Sequence, residues 1–257
     1  MSQPALIDTH CHLNVARFAA DREQVLADAR AAGVADLVIP AIDAAGWPGI
    51  LRLCRRHAGL HPALGLHPVY SDLHGDEALH QLAGLARSEP LCAIGEIGLD
   101  FFIPGADRPR QLWLFERQLD LARKAGLPVI LHNRKAHNPM LALLKRIRPP
   151  GGIVHAFNGS PQLAGEYLDL GLKLGFGGML TYDRSRRLRG LARVLPIEAI
   201  VLETDAPDLS GAAHRGERNS PAYLPECLAA LAEVRGEDAS WLAEQTSANA
   251  RQALLIA

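Results

Sequence analysis

The segment Ala5-Leu6-Ile7-Asp8-Thr9-His10-Cys11-His12 contains the first of the short apolar runs that alternate with helical segments along the chain. It distinguishes between two α/β architectures. A short apolar run, residues 5–9, leads directly into two histidines. A doubly wound nucleotide-binding sheet would carry a glycine-rich G-x-G-x-x-G turn at this point. A closed (β/α)8 barrel instead gathers polar, functional side chains at the carboxyl ends of its strands. The segment therefore favours the barrel.

The same alternation of short apolar runs and longer helical segments continues along the chain. The runs predicted as strands are residues 5–9, 36–42, 62–67, 92–99, 128–132, 152–157, 173–178 and 200–204. The predicted helices are residues 21–32, 48–57, 77–87, 109–125, 140–148, 161–170, 186–195, 221–235 and 240–255. Strands that alternate with helices pair in parallel through right-handed crossovers, and eight of them fit a closed barrel. We predict a TIM-like (β/α)8 barrel as a single domain over residues 1–257, with residues 208–220 as its longest irregular stretch.

Composition and cysteine spacing argue against a disordered protein, a C-x-x-C metal or redox protein and a membrane protein. Hydrophobic residues make up 48% and charged residues 21% of the chain, as in ordinary globular proteins. The net charge of -1 gives no overall field that would attract a polyanion, so a bound nucleic acid would need local positive charge. The four cysteines form no C-x-x-C pair, and neither the amino terminus nor any later run resembles a signal peptide or membrane span. We expect a cytoplasmic protein with no membrane association and no obligate protein partner.

Potential metal ligands occur at matching places in the predicted strands. His10 and His12 project to the same side because residues two apart on a strand share a face. Four further candidates lie within, at the end of or just after later strands: Glu96, His132, His155 and Asp205. A lone His-x-His pair is only a moderate signal, and each other residue has an ordinary structural alternative. A barrel would bring all six to one mouth, so we predict that together they bind metal.

Imidazole and carboxylate ligands suit zinc, manganese or another first-row divalent ion better than magnesium, which prefers oxygen. The identity of the metal ions therefore stays open between Zn, Mn and Mg. Glu96 is the candidate bridge because a carboxylate can give one oxygen to each of two ions. One ion would then take His10, His12 and Asp205, and the other would take His132 and His155.

Five sequence motifs give a specific resemblance: Ile7-Asp8-Thr9-His10-Cys11-His12-Leu13, Gly65-Leu66-His67-Pro68, Gly95-Glu96-Ile97-Gly98-Leu99-Asp100, Pro128-Val129-Ile130-Leu131-His132-Asn133-Arg134 and Leu202-Glu203-Thr204-Asp205-Ala206-Pro207. They closely resemble the signatures of the TatD family of metal-dependent deoxyribonucleases, in the family's order and across nearly the whole chain. The stretch Gly177-Gly178-Met179-Leu180-Thr181-Tyr182 is most similar to the branch often labelled uncharacterised metal-dependent hydrolase. The resemblance implies a barrel, two divalent ions, phosphodiester cleavage and the same six ligands. Asn138 and Val69 depart from the residues of many relatives, which concerns substrate preference rather than the metal site.

Other polar residues are candidates for substrate contact. His67 ends the third predicted strand and can donate a hydrogen bond to a phosphate, although it can also simply pack beside Pro68. Arg134 lies two residues beyond His132 and can neutralise a phosphate oxygen, with a salt bridge as the alternative. Asn219 lies in the last long loop, where it can contact substrate or only solvent. Glu203 should point into the barrel, where it would support a metal ligand without binding metal itself.

A basic run that begins just before the seventh predicted helix and continues along it allows two interpretations. Its members are Arg184, Arg186, Arg187, Arg189 and Arg193. They could follow a nucleic-acid backbone. An apolar stripe on the opposite side of the helix favours a solvated helix face instead. With 5% aromatic residues, no aromatic stacking platform is evident from the sequence.

These observations predict a divalent-metal-dependent hydrolase, with deoxyribonuclease activity on DNA or another phosphodiester substrate as the favoured reaction. A water bridging the ions would attack phosphorus, with Asp205 as the base and Glu96 as the second catalytic residue. The same site could instead act on a carbonyl group, as in amidohydrolases, esterases or enzymes that deacylate aminoacyl-tRNA. A catalytically silent binding barrel is the third alternative, and the intact ligand set argues against it.

Overall fold

Parallel strands and helices alternate through the computed structural model, which describes residues 5–256. The strands in this range are β1 Leu6–Asp8, β2 Val34–Pro40, β3 Leu60–Leu64, β4 Ala93–Asp100, β5 Val129–Arg134, β6 Gly152–Val154, β7 Leu172–Phe176 and β8 Ile200–Leu202. The helices in this range are α1 Arg22–Ala31, α2 Trp47–Arg56, α3 Asp76–Ser88, α4 Arg108–Ala125, α5 His137–Ile147, α6 Pro161–Leu168, α7 Arg186–Val194, α8 Leu224–Arg235 and α9 Ala239–Leu254. The predicted order of elements is therefore confirmed.

The strands follow one another around a single parallel sheet in chain order, from β1 to β8. Backbone hydrogen bonds then bring β8 back beside β1. The Thr9 N–H donates to Leu202 O at 3.1 Å, and just above it the Asp205 N–H donates to His10 O at 2.8 Å. These bonds bring the two ends of the sheet together, and the predicted (β/α)8 barrel is confirmed.

The interior of the barrel is filled by a small apolar cluster. It draws residues such as Ile7, Val38, Ile130 and Val201 from strands all around the sheet, and such side chains can meet only inside the barrel. Helix α9 covers one end of this cluster. Asn249 of α9 donates to Ile200 O at 2.8 Å, at the start of β8, so α9 lies at the amino ends of the strands. The carboxyl ends, at the opposite mouth, are left for a functional site.

Small differences from the predicted boundaries concern site residues. β5 runs on to Arg134, two residues beyond its predicted end at His132. β3 ends at Leu64, so His67 instead caps the 3-10 helix Pro68–Leu73. β6 ends at Val154, which leaves His155 in the following loop. Strand boundaries shift in this way because they depend on which backbone groups pair with neighbouring strands.

Within residues 5–256, every helix is too short or too polar to cross a lipid bilayer. Residues 1–4, which belong to the segment used to predict the absence of a signal peptide, lie outside the described residues.

Candidate metal centre

Four predicted ligands meet where β1, β4 and β8 open onto the mouth of the barrel. His10 Nε2 lies 3.2 Å from His12 Nε2 and 3.1 Å from Glu96 Oε2. Asp205 Oδ1 completes the group, at 3.7 Å from His10 Nε2 and 3.5 Å from His12 Nε2. His10 is fully buried, and Glu96 is 2% exposed. Two imidazoles and two carboxylates therefore converge on one small volume.

The second oxygen of Glu96 faces a different pair of histidines. Oε1 lies 2.9 Å from His132 Nδ1 and 3.4 Å from His67 Nε2. His67 is oriented by the Val69 N–H, which donates to its Nδ1 at 3.2 Å. The carboxylate of Glu96 thus stands between two histidine groups, with one oxygen toward each.

His155 faces two acidic residues at the end of β8. Its Nε2 lies 3.6 Å from Asp205 Oδ2, and its Nδ1 lies 3.0 Å from Glu203 Oε1. The His155 ring also stacks on His10, with ring centroids 3.6 Å apart. Glu203 Oε1 accepts a hydrogen bond from the Ala156 N–H at 2.6 Å. The sequence led us to expect His155 beside His132, whereas these contacts join His155 to Asp205 and Glu203.

Asp100, which the sequence analysis did not assign, holds His132 from the other side. Asp100 Oδ2 lies 3.2 Å from His132 Nε2. Burial would lower the pKa of His132, but its hydrogen bonds with Asp100 and Glu96 raise that pKa to about 9. Glu96, Gly98 and Asp100 are spaced two apart in one strand, and this period could have revealed Asp100.

Asp8, the last residue of β1, joins the ends of β1 and β8. Its carboxylate accepts hydrogen bonds from Thr204 Oγ1 at 2.6 Å, Thr204 N at 3.0 Å and His10 N at 3.1 Å. Burial raises the pKa of Asp8 to about 7, against the effect of these hydrogen bonds. Asp8 therefore fixes the backbone beside His10 and Asp205.

The buried charges of the cluster depend on one another. Burial by itself would raise the pKa of Glu96, but the neighbouring histidines lower it well below its usual range. Burial would lower the pKa of His155, and the charges of Glu203 and Asp205 raise it well above its usual value instead. Carboxylates kept ionised in such a place need positive charge beside them.

A divalent cation fits this cluster. In the described part of the chain, the salt-bridge partners of Glu96 and Asp205 are all histidines. Ligand atoms about 2.0–2.2 Å from a tetrahedral ion stand roughly 3.3–3.6 Å from one another. The separations among His10, His12, Glu96 and Asp205 run from 3.1 Å to 3.7 Å, within about 0.2 Å of this range. The group His67, Glu96 and His132 offers a second set of atoms within 4.8 Å of one another.

A cavity of about 800 Å³ opens from this cluster, and His132, His155, Glu203 and Asp205 are among the residues that line it. Arg134 lines the same cavity, with its guanidinium 3.8 Å from the centre of the Phe102 ring. The volume lies within the range of small-molecule sites in proteins. The cluster can therefore be reached from solvent.

Asn219 does not line this cavity. It is 1% exposed, and its side-chain amide donates to Thr204 O at 2.8 Å and to Asp208 O at 2.7 Å. These bonds tie the last long loop to the segment that carries Asp205. Substrate contact by Asn219 stays a prediction, while its observed side-chain hydrogen bonds are with Thr204, Asp208 and Ser220.

The basic run divides into groups with different surroundings. Arg184, Arg186 and Arg187 line the cavity. Arg189 turns toward α8, where it donates to Glu233 at 2.8 Å and has only 16% of its side chain exposed. Four of the five arginines are exposed, as a solvated face requires, and three of those four lie beside the site. Contact of the run with nucleic acid stays a prediction.

The fold and the site together define a class of protein: (β/α)8 barrel hydrolases that hold metal ions at the carboxyl ends of their strands. Residues 7–254 match the family model described as TatD related DNase. The chain belongs to the TatD family of metal-dependent hydrolases, as the resemblance of its motifs predicted.

Individual relatives cover almost the whole chain. A protein of Escherichia coli (strain K12) named uncharacterized metal-dependent hydrolase YjjV is 40% identical over 241 residues, which are 93% of each chain. The protein of Klebsiella pneumoniae (strain 342) named 3'-5' ssDNA/RNA exonuclease TatD is 37% identical over 253 residues, 96% of each chain. The crystal structure of the Escherichia coli YjjV protein has a TM-score of 0.94 and 38% identity, and the match covers 98% of each chain.

Proposed function

We propose that the protein hydrolyses phosphodiester bonds in single-stranded DNA with the help of two divalent ions. The observation that carries this proposal is the position of Glu96, whose two oxygens face two separate histidine groups. Paired metal sites a few ångströms apart are used by nucleases and phosphatases to act on both oxygens of a displacement at phosphorus. A relative that is 37% identical is named as an exonuclease on single-stranded nucleic acid, which supports the choice of substrate.

The proposed ligands divide between the two ions according to the oxygen of Glu96 that they face. His10, His12 and Asp205 would hold one ion together with Oε2. His132 would hold the other together with Oε1. His155, which is also a proposed ligand, lies on the side of Asp205. Zinc, manganese and magnesium are the candidates, and the imidazole-rich ligand set favours the first two.

The ions would supply an activated water and would neutralise negative charge that develops on the phosphoryl group. Asp205 would accept the proton of that water. Its Oδ1 faces His10 and His12 while Oδ2 is turned toward His155, and the residue lines the cavity. Glu203 would keep His155 in place through the contact at Nδ1. Arg134, which lines the same cavity, would bind a phosphate oxygen.

His67 would serve chiefly to position Glu96, although the sequence led us to expect contact with substrate. Its Nδ1 accepts the Val69 N–H, which leaves the proton on Nε2, the atom that lies 3.4 Å from Glu96 Oε1. We further propose that residues 1–257 act as one unit in the cytoplasm. The four cysteines are free thiols, which is consistent with a reducing compartment.

The test offers two classes of substrate to the same preparation. Purified protein loaded with cobalt, manganese, zinc or magnesium is incubated with single-stranded DNA, with aryl and lactone esters, and with aminoacyl-tRNA. We expect cleavage of DNA and little turnover of the carbonyl substrates. Turnover of a carbonyl substrate without cleavage of DNA would instead support the amidohydrolase or deacylase alternative. Inactivity of the metal-loaded protein on all of them would support a binding barrel.

A further inference from the structure

The cavity beside the metal centre carries several basic side chains without acidic partners. Arg134 and Lys135, at the end of β5, line this cavity. Arg184, Arg186 and Arg187, before and at the start of α7, also line it and are called here its basic wall. All five are exposed. Within residues 5–256, none of them has a carboxylate oxygen within 4.0 Å.

Several basic residues elsewhere on the surface are paired in this structure. Arg218 binds Asp21 at 2.5 Å, and Arg189 binds Glu233 at 2.8 Å. The acidic side chains in the cavity are also occupied: Asp205 faces the histidines, and Asp208 binds Arg17 at 2.6 Å. Five basic groups without a carboxylate partner thus line one cavity, where they favour a ligand with more than one anionic group.

The same cavity exposes apolar side chains. Phe102 is 54% exposed, while Met179 and Leu209 are 38% and 42% exposed. All three line the cavity together with the basic residues. A nucleic-acid strand with unpaired bases combines anionic groups with flat apolar faces, which is the combination that this lining offers.

Phe102 is fixed relative to the proposed metal ligands by a single carboxylate. Asp100 Oδ1 accepts a hydrogen bond from the Phe102 N–H at 3.0 Å, while Asp100 Oδ2 contacts His132. The Arg134 guanidinium lies 3.8 Å from the ring centre. The hydrogen bond fixes the backbone at Phe102, Arg134 lies over the ring, and the residue is still more than half exposed, so the ring offers a flat surface next to the proposed metal centre.

The basic wall continues away from the centre. A second cavity, of about 430 Å³, lies between the start of α6 and α7, and Asn158, Arg186 and Arg187 line both cavities. The two spaces therefore adjoin at these residues. This gives a path for more of the substrate than a single nucleotide.

We propose that these residues form a single-strand track, defined here as Phe102, Arg134, Arg186 and Arg187. On this track an unpaired base stacks on Phe102 beside the scissile phosphate, and neighbouring phosphates contact Arg186 and Arg187. The inference rests on the proposed function and adds the residues that select an oligonucleotide over a small phosphodiester. A base paired within a duplex could not present its face to the ring, so the track selects single strands.

The test of stacking compares Phe102→Ala with Phe102→Tyr, which keeps the ring. Rates are measured with manganese on a thymidine decamer, on the same decamer with an abasic unit at each position in turn, and on bis(p-nitrophenyl) phosphate. Removal of a stacking aromatic residue should lower kcat/KM on the decamer by about 5- to 100-fold. Phe102→Tyr should stay within about twofold of the wild type, and all variants should hydrolyse the small diester at similar rates.

The abasic series identifies the contact. At one position, loss of the base should reduce cleavage by the wild type but not by Phe102→Ala, because the variant has already lost the interaction. An undiminished rate of Phe102→Ala on the intact decamer would overturn the stacking role. An equal loss on the decamer and on the small diester would also overturn it, since it would indicate damage to His132 through Asp100. If the wild type hydrolyses neither substrate, the proposed function itself fails and the track fails with it.

The role of the basic wall is tested by salt dependence. Each phosphate contact to a single strand contributes about 0.7 to the slope of log affinity against log salt concentration. Arg186→Ala and Arg187→Ala should each reduce the corresponding slope of kcat/KM on the decamer by roughly that amount. Arg193→Ala is the matched control, because Arg193 is exposed on the same helix but does not line either cavity. Equal slopes for all three variants and the wild type would exclude Arg186 and Arg187 from the track.

Discussion

Individual residues around the cavity adopt the left-handed backbone conformation that most non-glycine residues avoid. Asp205, Ala156, Lys135 and Leu209 all have positive φ, between 44° and 59°, and all line the cavity. A left-handed conformation costs a residue with a side chain about 1–2 kcal/mol, and Asp and Asn tolerate it best. Strain of this kind persists where the surrounding structure enforces it, and it is concentrated at functional sites. The loops that carry Asp205, the proposed base, and Lys135 are therefore held in place by the barrel.

At the residue scale, Glu96→Ala tests whether one carboxylate serves both ions. Because its oxygens face separate histidine groups, we expect the variant to lose bound metal at both positions and to lose turnover. Metal content by elemental analysis and the hydrolysis rate are measured on the same preparation. Glu166→Ala, which removes only a salt bridge to Lys145 on the surface, is the control. A Glu96→Ala protein that keeps two tightly bound ions would show that the bridge assignment is wrong.

Asp205→Asn separates metal binding from proton transfer. The substitution keeps an oxygen ligand but removes the base, so we expect the variant to retain much of its metal and to lose at least about 100-fold in turnover, the scale of a general base. Single-turnover rates normalised to metal content provide the measurement. A metal-loaded variant with a near wild-type rate would leave Asp205 as a ligand only.

At the element scale, β7 leaves room for a carboxylate that belongs to the end of β8. A Cβ atom on Gly175 would lie 2.2 Å from Glu203 Oε2, far inside contact distance. Glu203 in turn contacts His155 and the Ala156 N–H. The absence of a side chain in one strand therefore positions a proposed ligand that follows another strand.

Gly175→Ala should displace Glu203 and loosen His155. Loss of such a supporting contact typically lowers metal affinity or activity by about 10- to 100-fold, and we expect a loss of that size in turnover with the barrel still folded. Kinetics and circular dichroism provide the measurement. Gly165→Ala in α6 is the matched control, because no neighbouring atom lies within 4 Å and a helix interior gains about 0.5–1 kcal/mol from alanine. Equal activity of both variants would contradict the role given to Gly175.

At the scale of the whole molecule, the net charge of -1 conceals an uneven distribution. The mouth of the barrel concentrates buried carboxylates and histidines at its centre and unpaired basic groups along the cavity. Bound cations would neutralise the centre and leave the cavity positive. The chain can therefore be close to neutral overall and still hold a polyanion locally.

Metal removal should lower the stability of the whole barrel. The proposed ligands come from β4 and β5 and from the segments that follow β1, β6 and β8, so bound ions would connect strands around the sheet. A ligand present at 100 times its Kd stabilises the native state by about 2.7 kcal/mol. For a domain of this size that corresponds to a fall in Tm of roughly 5–10 °C on chelation. Calorimetry with and without chelator, followed by restoration with manganese, provides the measurement. An unchanged Tm after verified removal of metal would contradict the predicted coupling.

Much of the architecture was determined locally by the sequence. Apolar runs of strand length and segments of helical period specify their own conformation, so the order of elements and the (β/α)8 barrel followed from pattern alone. The placement of His10, His12, Glu96 and Asp205 at one mouth also followed, because a parallel barrel gathers the carboxyl ends of its strands.

Only the tertiary structure determined how these side chains face one another. Asp100 holds His132, His67 contacts Glu96, and His155 pairs with Glu203 because strands far apart in sequence lie side by side at a fixed register. The exposure of Phe102 beside the metal centre also depends on packing, which no local pattern records. Periodicity in a sequence reports the face on which a side chain lies. The distance between two side chains on different strands depends on the register, twist and closure of the sheet, which arise only when the whole chain is folded.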